Sequence, residues 1–134
     1  MIRGIQERIC AHVESAEKEL GGKELKFRED VWLRDNPGEG GGITRVIQNG
    51  SVFEKAGVNV SAVSGTLPPR AVAAMKADHA DILAVLAKRP ANAQIPFFAC
   101  GVSVVIHAHN PFVPTVHCNY RYCSLFLATC SDSH

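Results

Sequence analysis

Apolar residues recur at every third or fourth position through the first twenty residues of the chain. Six residues form this stripe: Ile2, Ile5, Ile9, Val13, Ala16 and Leu20. Such spacing places apolar side chains along one side of a helix. The Gly21-Gly22 pair that follows marks the end of that helix. The sequence therefore predicts an amphipathic helix with one side facing the core.

Alternating residue types follow the helix. In residues 25–34, mainly apolar residues at odd positions alternate with charged residues, and Trp32 breaks the alternation. This pattern predicts a strand with one solvated face. Residues 36–42 contain four glycines and a proline. This composition favours turn conformations, so we predict a loop there.

Further strands are predicted on both sides of Asn49-Gly50. Residues 43–48 have the pattern of a strand, and Asn49-Gly50 indicates a two-residue hairpin because both residues tolerate positive φ. Residues 58–63 predict the next strand. A loop around residues 55–57 is expected to precede it.

The second half of the chain predicts a helix and two long strands. Pro68-Pro69 suits a helix start, and an apolar stripe continues to Leu86 before Pro90. Residues 95–106 and 113–122 are β-prone and are separated by the turn-forming Asn110-Pro111. Helix, hairpin-linked strands, helix and strands, in that order, predict an α+β fold with a largely antiparallel sheet.

Composition limits the classes of partner. The 14 Lys and Arg residues nearly balance the 13 Asp and Glu residues, so no general field attracts nucleic acid. No run approaches the roughly 18 apolar residues of a membrane span, and the acidic first helix differs from a transit peptide. We expect a soluble, cytoplasmic protein.

The five cysteines are scattered without a CxxC pair, which predicts reduced thiols.

Polar side chains gather on the two long strands of the second half. They are Ser103, His107, His109, His117, Asn119 and Arg121. Residues of one parity share a face of a strand, so His117, Asn119 and Arg121 are predicted to lie on one side of the last strand. Arg121 could bind a carboxylate through two hydrogen bonds, and histidine is the side chain that titrates near neutrality.

Two other interpretations of these residues remain open. A histidine in a strand more often has a structural role, and an arginine more often forms a surface ion pair. His107, His109 and His117 could instead form a small metal site, although no carboxylate is near and the set is incomplete. Cys118 is predicted on the opposite face from His117, which argues against a Cys-His nucleophile pair.

The order of motifs resembles the oxygen-dependent coproporphyrinogen III oxidase family. The motifs that carry the resemblance are residues 27–32, 40–46, 50–59, 67–69, 101–107, 110–111 and 114–122. The resemblance implies oxidative decarboxylation of two propionates of coproporphyrinogen III to the vinyl groups of protoporphyrinogen IX. It implies molecular oxygen as co-substrate, no other cofactor, and a homodimer built on a flat antiparallel sheet flanked by helices.

The resemblance also assigns roles to residues. It implies that His117 is the proton donor and that Ser103, Asn119, Tyr120 and Arg121 bind the substrate. Some members have metal-binding histidines, and His107 and His117 match two of them. A dimer-associated segment is implied at Val52, Phe53, Glu54, Lys55, Ala56, Gly57, Val58, Asn59, Val60 and Ser61.

The resemblance ends near Tyr122. We therefore expect residues 1–122 to be the N-terminal part of an oxidase domain and residues 123–134 to be a divergent tail, left by truncation or a frameshift. Two alternatives to an active oxidase follow. The chain could be a catalytically silent fragment that binds a porphyrinogen or a full-length subunit, or it could be the histidine-based metal module.

Overall fold

The computed structural model describes residues 1–68, 71 and 94–126. These residues form one helix and five strands: α1 (Ile2–Gly21), β1 (Arg28–Leu33), β2 (Gly40–Gln48), β3 (Phe53–Leu67), β4 (Ile95–Ala108) and β5 (Val116–Leu125). The strands form one sheet in the order β1-β2-β3-β4-β5, and the first two pairs are antiparallel. The predicted α+β class is confirmed. The predicted second helix falls outside the described residues except at its start.

The chain divides into two compact units. The first consists of Met1–Val63 with Ala99–Tyr122, and the second of Ser64–Phe98 with Cys123–His134. In the second unit, the N–H of Phe126 donates a hydrogen bond of 2.9 Å to the carbonyl of Pro96. The first unit contains every residue of the predicted site. No helix among the described residues is long and apolar enough to cross a membrane.

The helix α1 covers one face of the sheet, which we call the inner face. Cys10 on α1 packs with the buried β3 residues Val58 and Val60 and the buried β4 residues Val102 and Val104. A second cluster joins Val13 on α1 to Ile47 on β2 and Ala56 on β3. The other side of the sheet is the outer face. Because successive side chains of a strand alternate between faces, these core residues fix which face every neighbour occupies.

The buried side of α1 differs from the predicted stripe. Leu20 is 77% exposed, whereas the polar residues Gln6 and Glu17 are almost fully buried. Gln6 is tolerated there because its amide donates to the carbonyls of Ile43 and Val58, at 2.9 and 2.8 Å. The helix ends as predicted, where Gly22 adopts φ 69°, a left-handed conformation that glycine takes at little cost.

The Glu17 carboxylate binds the connection between β2 and β3. It accepts backbone hydrogen bonds from Ser51, Val52 and Phe53, the last two at 3.0 Å. Burial alone would raise the pKa of this carboxyl. The three N–H groups outweigh burial and lower the pKa below its ordinary value of 4.5. Glu17 therefore stays charged and ties α1 to the hairpin.

We expect Glu17→Gln to lower the free energy of unfolding by roughly 2–3 kcal/mol, because charge-assisted hydrogen bonds are lost and an NH₂ group faces backbone N–H groups. The contribution of Glu17 is fully present above pH 4.5, and it is lost as the pH falls through the lower folded-state pKa. Urea unfolding at pH 7 and pH 3 measures both effects. The exposed Glu7→Gln is the control, and equal stability of the two variants would contradict the role.

Several strand boundaries differ from the sequence predictions, and three of the differences have a clear physical reason. Residues 40–42 belong to β2, where Gly41 and Gly42 pair with Leu33 and Trp32, because glycine allows close backbone approach within a sheet. Residues 55–57 belong to β3 and pair with residues 46–48, so the loop predicted there is wrong. The strand β5 begins at Val116 rather than at residue 113, because residues 110–113 form a turn closed by a 3.1 Å hydrogen bond.

The hairpin at Asn49-Gly50 is confirmed with a longer connection. Residues 49–52 join β2 to β3, and Asn49 has φ 61° whereas Gly50 has no positive φ. The edge strand β1 is exposed on both faces, so the prediction of one solvated face is wrong. It is an edge strand, and none of its residues belongs to the core that α1 forms with β2, β3 and β4.

Candidate functional site

The predicted polar residues lie on the outer face of β4 and β5. Val102 and Val104 of β4 are buried on the inner face, and Cys118 of β5 packs against the same core. Alternation then places Ser103 and His107 on the outer face of β4. It places His117, Asn119 and Arg121 on the outer face of β5, where all three are exposed. The face assignment made from sequence parity agrees with this arrangement.

Two contacts set the alignment of β4 with β5. His107 Nδ1 lies 3.2 Å from Thr115 Oγ1, and a Cβ built on Gly101 would lie 3.3 Å from the Cα of Arg121. Both contacts fit one antiparallel register. Its opposed pairs on the outer face are Gly101 with Arg121, Ser103 with Asn119, Val105 with His117, and His107 with Thr115. The Cβ atoms of directly opposed residues lie about 4.5–5.5 Å apart.

The side chain of Tyr120 does not share this surface. It lies between Asn119 and Arg121, so the alternation of β5 turns it to the same side as Cys118. Its side chain is 73% exposed there. Tyr120 can therefore contribute only backbone atoms to the surface formed by Ser103, Asn119 and Arg121.

The histidines do not form a metal cluster in the described residues. His107 contacts Thr115, and His109 lies beyond the end of β4, where its backbone N–H donates to the carbonyl of Val52 at 2.8 Å. No group of three or more His, Cys, Asp or Glu side chains in residues 1–68, 71 and 94–126 is placed to hold a metal ion. Geometry in this part of the chain gives the metal-module alternative no support.

We expect the chain to bind no stoichiometric zinc, iron or copper, because one histidine contact to a threonine leaves an incomplete set of ligands. Elemental analysis of the purified chain is the measurement, with His107→Ala as the matched variant. About one metal per chain, lost in that variant, would overturn the expectation.

The described thiols are weak candidates for chemistry. Cys10, Cys100, Cys118 and Cys123 are free. Burial raises the pKa of the Cys10 thiol, against the opposing effect of a hydrogen bond from Arg45, so little reactive thiolate forms. Cys118 faces away from His117, as the sequence predicted.

A cleft of about 420 Å³ lies toward the opposite edge of the sheet, between the start of α1, the end of β1, the start of β2 and the middle of β3. Apolar residues such as Val31, Leu33 and Ile43 line much of it. Val60 and Ser61 are its only members from the predicted site set. It is therefore separate from the polar residues of β4 and β5.

Residues 53–61 of the dimer-associated segment form the first part of β3, and Val52 belongs to the connection before it. Ala56, Val58 and Val60 are buried against the helix, so their side chains are unavailable to a partner. Gly57, Asn59 and Ser61 alternate with them and lie on the outer face. In this segment Asn59 Oδ1 is buried and has no hydrogen-bond partner.

Comparison with known proteins identifies the family. The family model described as coproporphyrinogen III oxidase matches residues 1–132. The chain belongs to the coproporphyrinogen III oxidase family. This match reaches into residues 123–134, and the divergence of that segment remains a prediction.

Curated relatives agree with the family assignment. Coproporphyrinogen-III oxidase 1 (chloroplastic) of Arabidopsis thaliana is 52% identical over 122 residues, which are 91% of this chain and 28% of the relative. Coproporphyrinogen-III oxidase 2 (chloroplastic) of the same plant is 49% identical, over 91% of this chain and 46% of the relative. Oxygen-dependent coproporphyrinogen-III oxidase of Drosophila melanogaster is 50% identical, over 91% of this chain and 28% of the relative. The chain thus spans less than half of the length of these relatives.

Proposed function

We propose that this chain carries part of the active surface of an oxygen-dependent coproporphyrinogen III oxidase. In this proposal the outer face of β4 and β5 binds coproporphyrinogen III, two of whose propionates are decarboxylated to the vinyl groups of protoporphyrinogen IX. Family membership and the names of the relatives support the substrate. The roles of the individual residues rest on the resemblance and on the geometry of the strands.

The observation that carries the proposal is the length of the polar strip on β5. His117 and Arg121 are four residues apart, which is about 13 Å along a strand. Asn119 lies between them and opposes Ser103. A small substrate could contact only one end of such a strip, whereas a tetrapyrrole bearing several propionates could contact both ends.

Each residue has a distinct task in the proposed reaction. Arg121 binds a propionate through charge-assisted hydrogen bonds. The Ser103 hydroxyl and the Asn119 amide lie on opposed strands, midway along the polar strip. Each can donate a hydrogen bond to the substrate or accept one from it. His117 supplies the imidazole that transfers a proton to or from the substrate. Tyr120 contributes backbone atoms only.

The balance of the reaction determines what the protein must provide. Each propionic acid side chain and one O₂ yield a vinyl group, CO₂ and H₂O₂. The substrate loses two electrons and oxygen gains them. Because the reduced tetrapyrrole is itself the electron donor, we propose that O₂ is the co-substrate and that no organic or metal cofactor is required.

A hybrid oxidase tests the proposal. Residues 1–122 of this chain would replace the matching segment of the Arabidopsis relative that is 52% identical. We expect the hybrid to form protoporphyrinogen under air, measured as porphyrin fluorescence after oxidation. The 134-residue chain is assayed in parallel, both for turnover and for binding of coproporphyrin III. An inactive but folded hybrid would contradict the proposal, and binding without turnover by the chain alone would favour the silent-fragment alternative.

We also propose a homodimer and a cytoplasmic location. Because the inner-face residues of segment 52–61 are core residues, only the outer-face and exposed residues of this segment are available to a second copy. Asn59 is half-buried on the outer face and is one of the side chains of this segment that a second copy could contact. Sedimentation of the hybrid with and without Asn59→Ala tests the dimer. Fractionation of the native cells tests the compartment.

A further inference from the structure

The strand β4 contains a glycine, Gly101, in its interior, opposite Arg121 of β5. The strand is otherwise rich in β-branched and apolar residues, and glycine in a strand interior both weakens the strand and marks close approach of another chain segment. A Cβ built on Gly101 would lie 2.5 Å from the carbonyl oxygen of Tyr120 and 3.3 Å from the Cα of Arg121. Real Cβ atoms do not approach a carbonyl oxygen so closely.

Gly40 and Gly42 of β2 approach the carbonyls of β3 as closely, but Gly101 is the glycine that lies beside the predicted substrate-binding residues. In the register given above, Gly101 opposes Arg121, and the next outer-face residue of β4 is Ser103. A side chain at position 101 would push β5 away from β4 at Tyr120 and Arg121.

We propose that Gly101 is a positioning residue for Arg121. The missing side chain lets β5 lie close to β4 at Tyr120 and Arg121, and this close approach fixes the backbone from which the guanidinium reaches the carboxylate. This inference depends on the proposed function, because it assumes that Arg121 binds a propionate of the tetrapyrrole. It adds a residue that the resemblance assigned no role.

The chain contains a matched control for this glycine. Gly57 lies on the outer face of β3, and a Cβ built there would meet only Asn59 Nδ2, at 4.0 Å. Gly57→Ala therefore adds the same methyl group to the same face without a clash. Both variants replace a glycine of the outer face with alanine. A difference between them is therefore due to the position of the added methyl group and not to the loss of a glycine as such.

The experiment measures binding of two probes to the full 134-residue chain by porphyrin absorbance. One probe is coproporphyrin III, and the other has the same ring with its propionates converted to neutral amides. We expect the unaltered chain and Gly57→Ala to bind the acid at least about tenfold more tightly than the amide. We expect Gly101→Ala and Arg121→Ala to lose this preference while still binding the amide. General loss of structure would weaken both probes together.

If Gly101→Ala does not fold, an NMR titration of the unaltered chain tests the inference. The amide resonance of Gly101 in a two-dimensional NMR spectrum should shift on adding the acid, stay in place with the amide probe, and stay in place with either probe in Arg121→Ala. A folded Gly101→Ala that keeps the acid preference, or a Gly101 resonance unmoved by the acid, would overturn the inference alone. If the unaltered chain binds neither probe, the proposed binding surface fails, and the role of Gly101 is rejected with it.

Discussion

Replacing His117 with alanine is expected to lower the kcat of the hybrid oxidase by something on the order of 10²–10⁴, the usual effect of removing a principal general acid or base. The imidazole lies exposed on the outer face of β5, opposite Val105, so the substitution removes a functional group without opening the core. The limb of the pH profile that belongs to the imidazole should disappear as well.

Steady-state formation of protoporphyrinogen from pH 5.5 to 8.5 is the measurement for His117→Ala. The matched control is His109→Ala, because His109 is also exposed but lies beyond the end of β4, and within the described part of the chain its hydrogen bond is made by its backbone N–H, to Val52. If His117→Ala keeps kcat and the pH profile of the hybrid, the proton-donor role is wrong and His117 has a structural role.

Replacing Arg121 with alanine is expected to raise KM by roughly 10- to 100-fold with a smaller change in kcat. The guanidinium binds a charge that is present in both substrate and transition state, so its loss weakens both equally. A charge-assisted hydrogen bond of about 1.5–3 kcal/mol gives this range.

The matched control for Arg121→Ala is Arg28→Ala. Arg28 pairs with Val46, which alternates with the buried Ile47, so Arg28 is exposed on the same outer face but at the opposite edge of the sheet. Arg28→Ala changes the net charge by the same amount as Arg121→Ala, but it should leave KM unchanged. A drop in kcat at unchanged KM for Arg121→Ala would assign the guanidinium to the chemical step instead of to binding.

Periodicity predicted the helix and the face assignments because both depend on local geometry. The alternation of Ser103, His107, His117, Asn119 and Arg121 was readable because one face of each strand packs against a core. The same parity also excluded the side chain of Tyr120 from the outer face, although the resemblance grouped it with its neighbours.

Long-range pairing explains what the sequence did not predict. The glycines at 40–42 indicate a loop by composition, yet their partners on β1 and β3 make them strand residues. Leu20 was predicted to face the core, but Glu17 is buried instead because its partners are backbone groups 34 or more positions away. The register that brings Gly101 opposite Arg121 likewise depends on contacts between strands, and no local pattern encodes it.

The two buried polar residues of α1 together determine where the helix lies on the sheet. Gln6 and Glu17 are about three turns apart. Gln6 is held by carbonyls within the paired strands β2 and β3, and Glu17 is held by backbone N–H groups at the connection between these strands. An apolar interface alone would tolerate sliding by one turn, whereas these two anchors fix both the axial position and the rotation of the helix. Insertions between positions 6 and 17 should therefore be far less acceptable to the protein than insertions of equal length between positions 22 and 26.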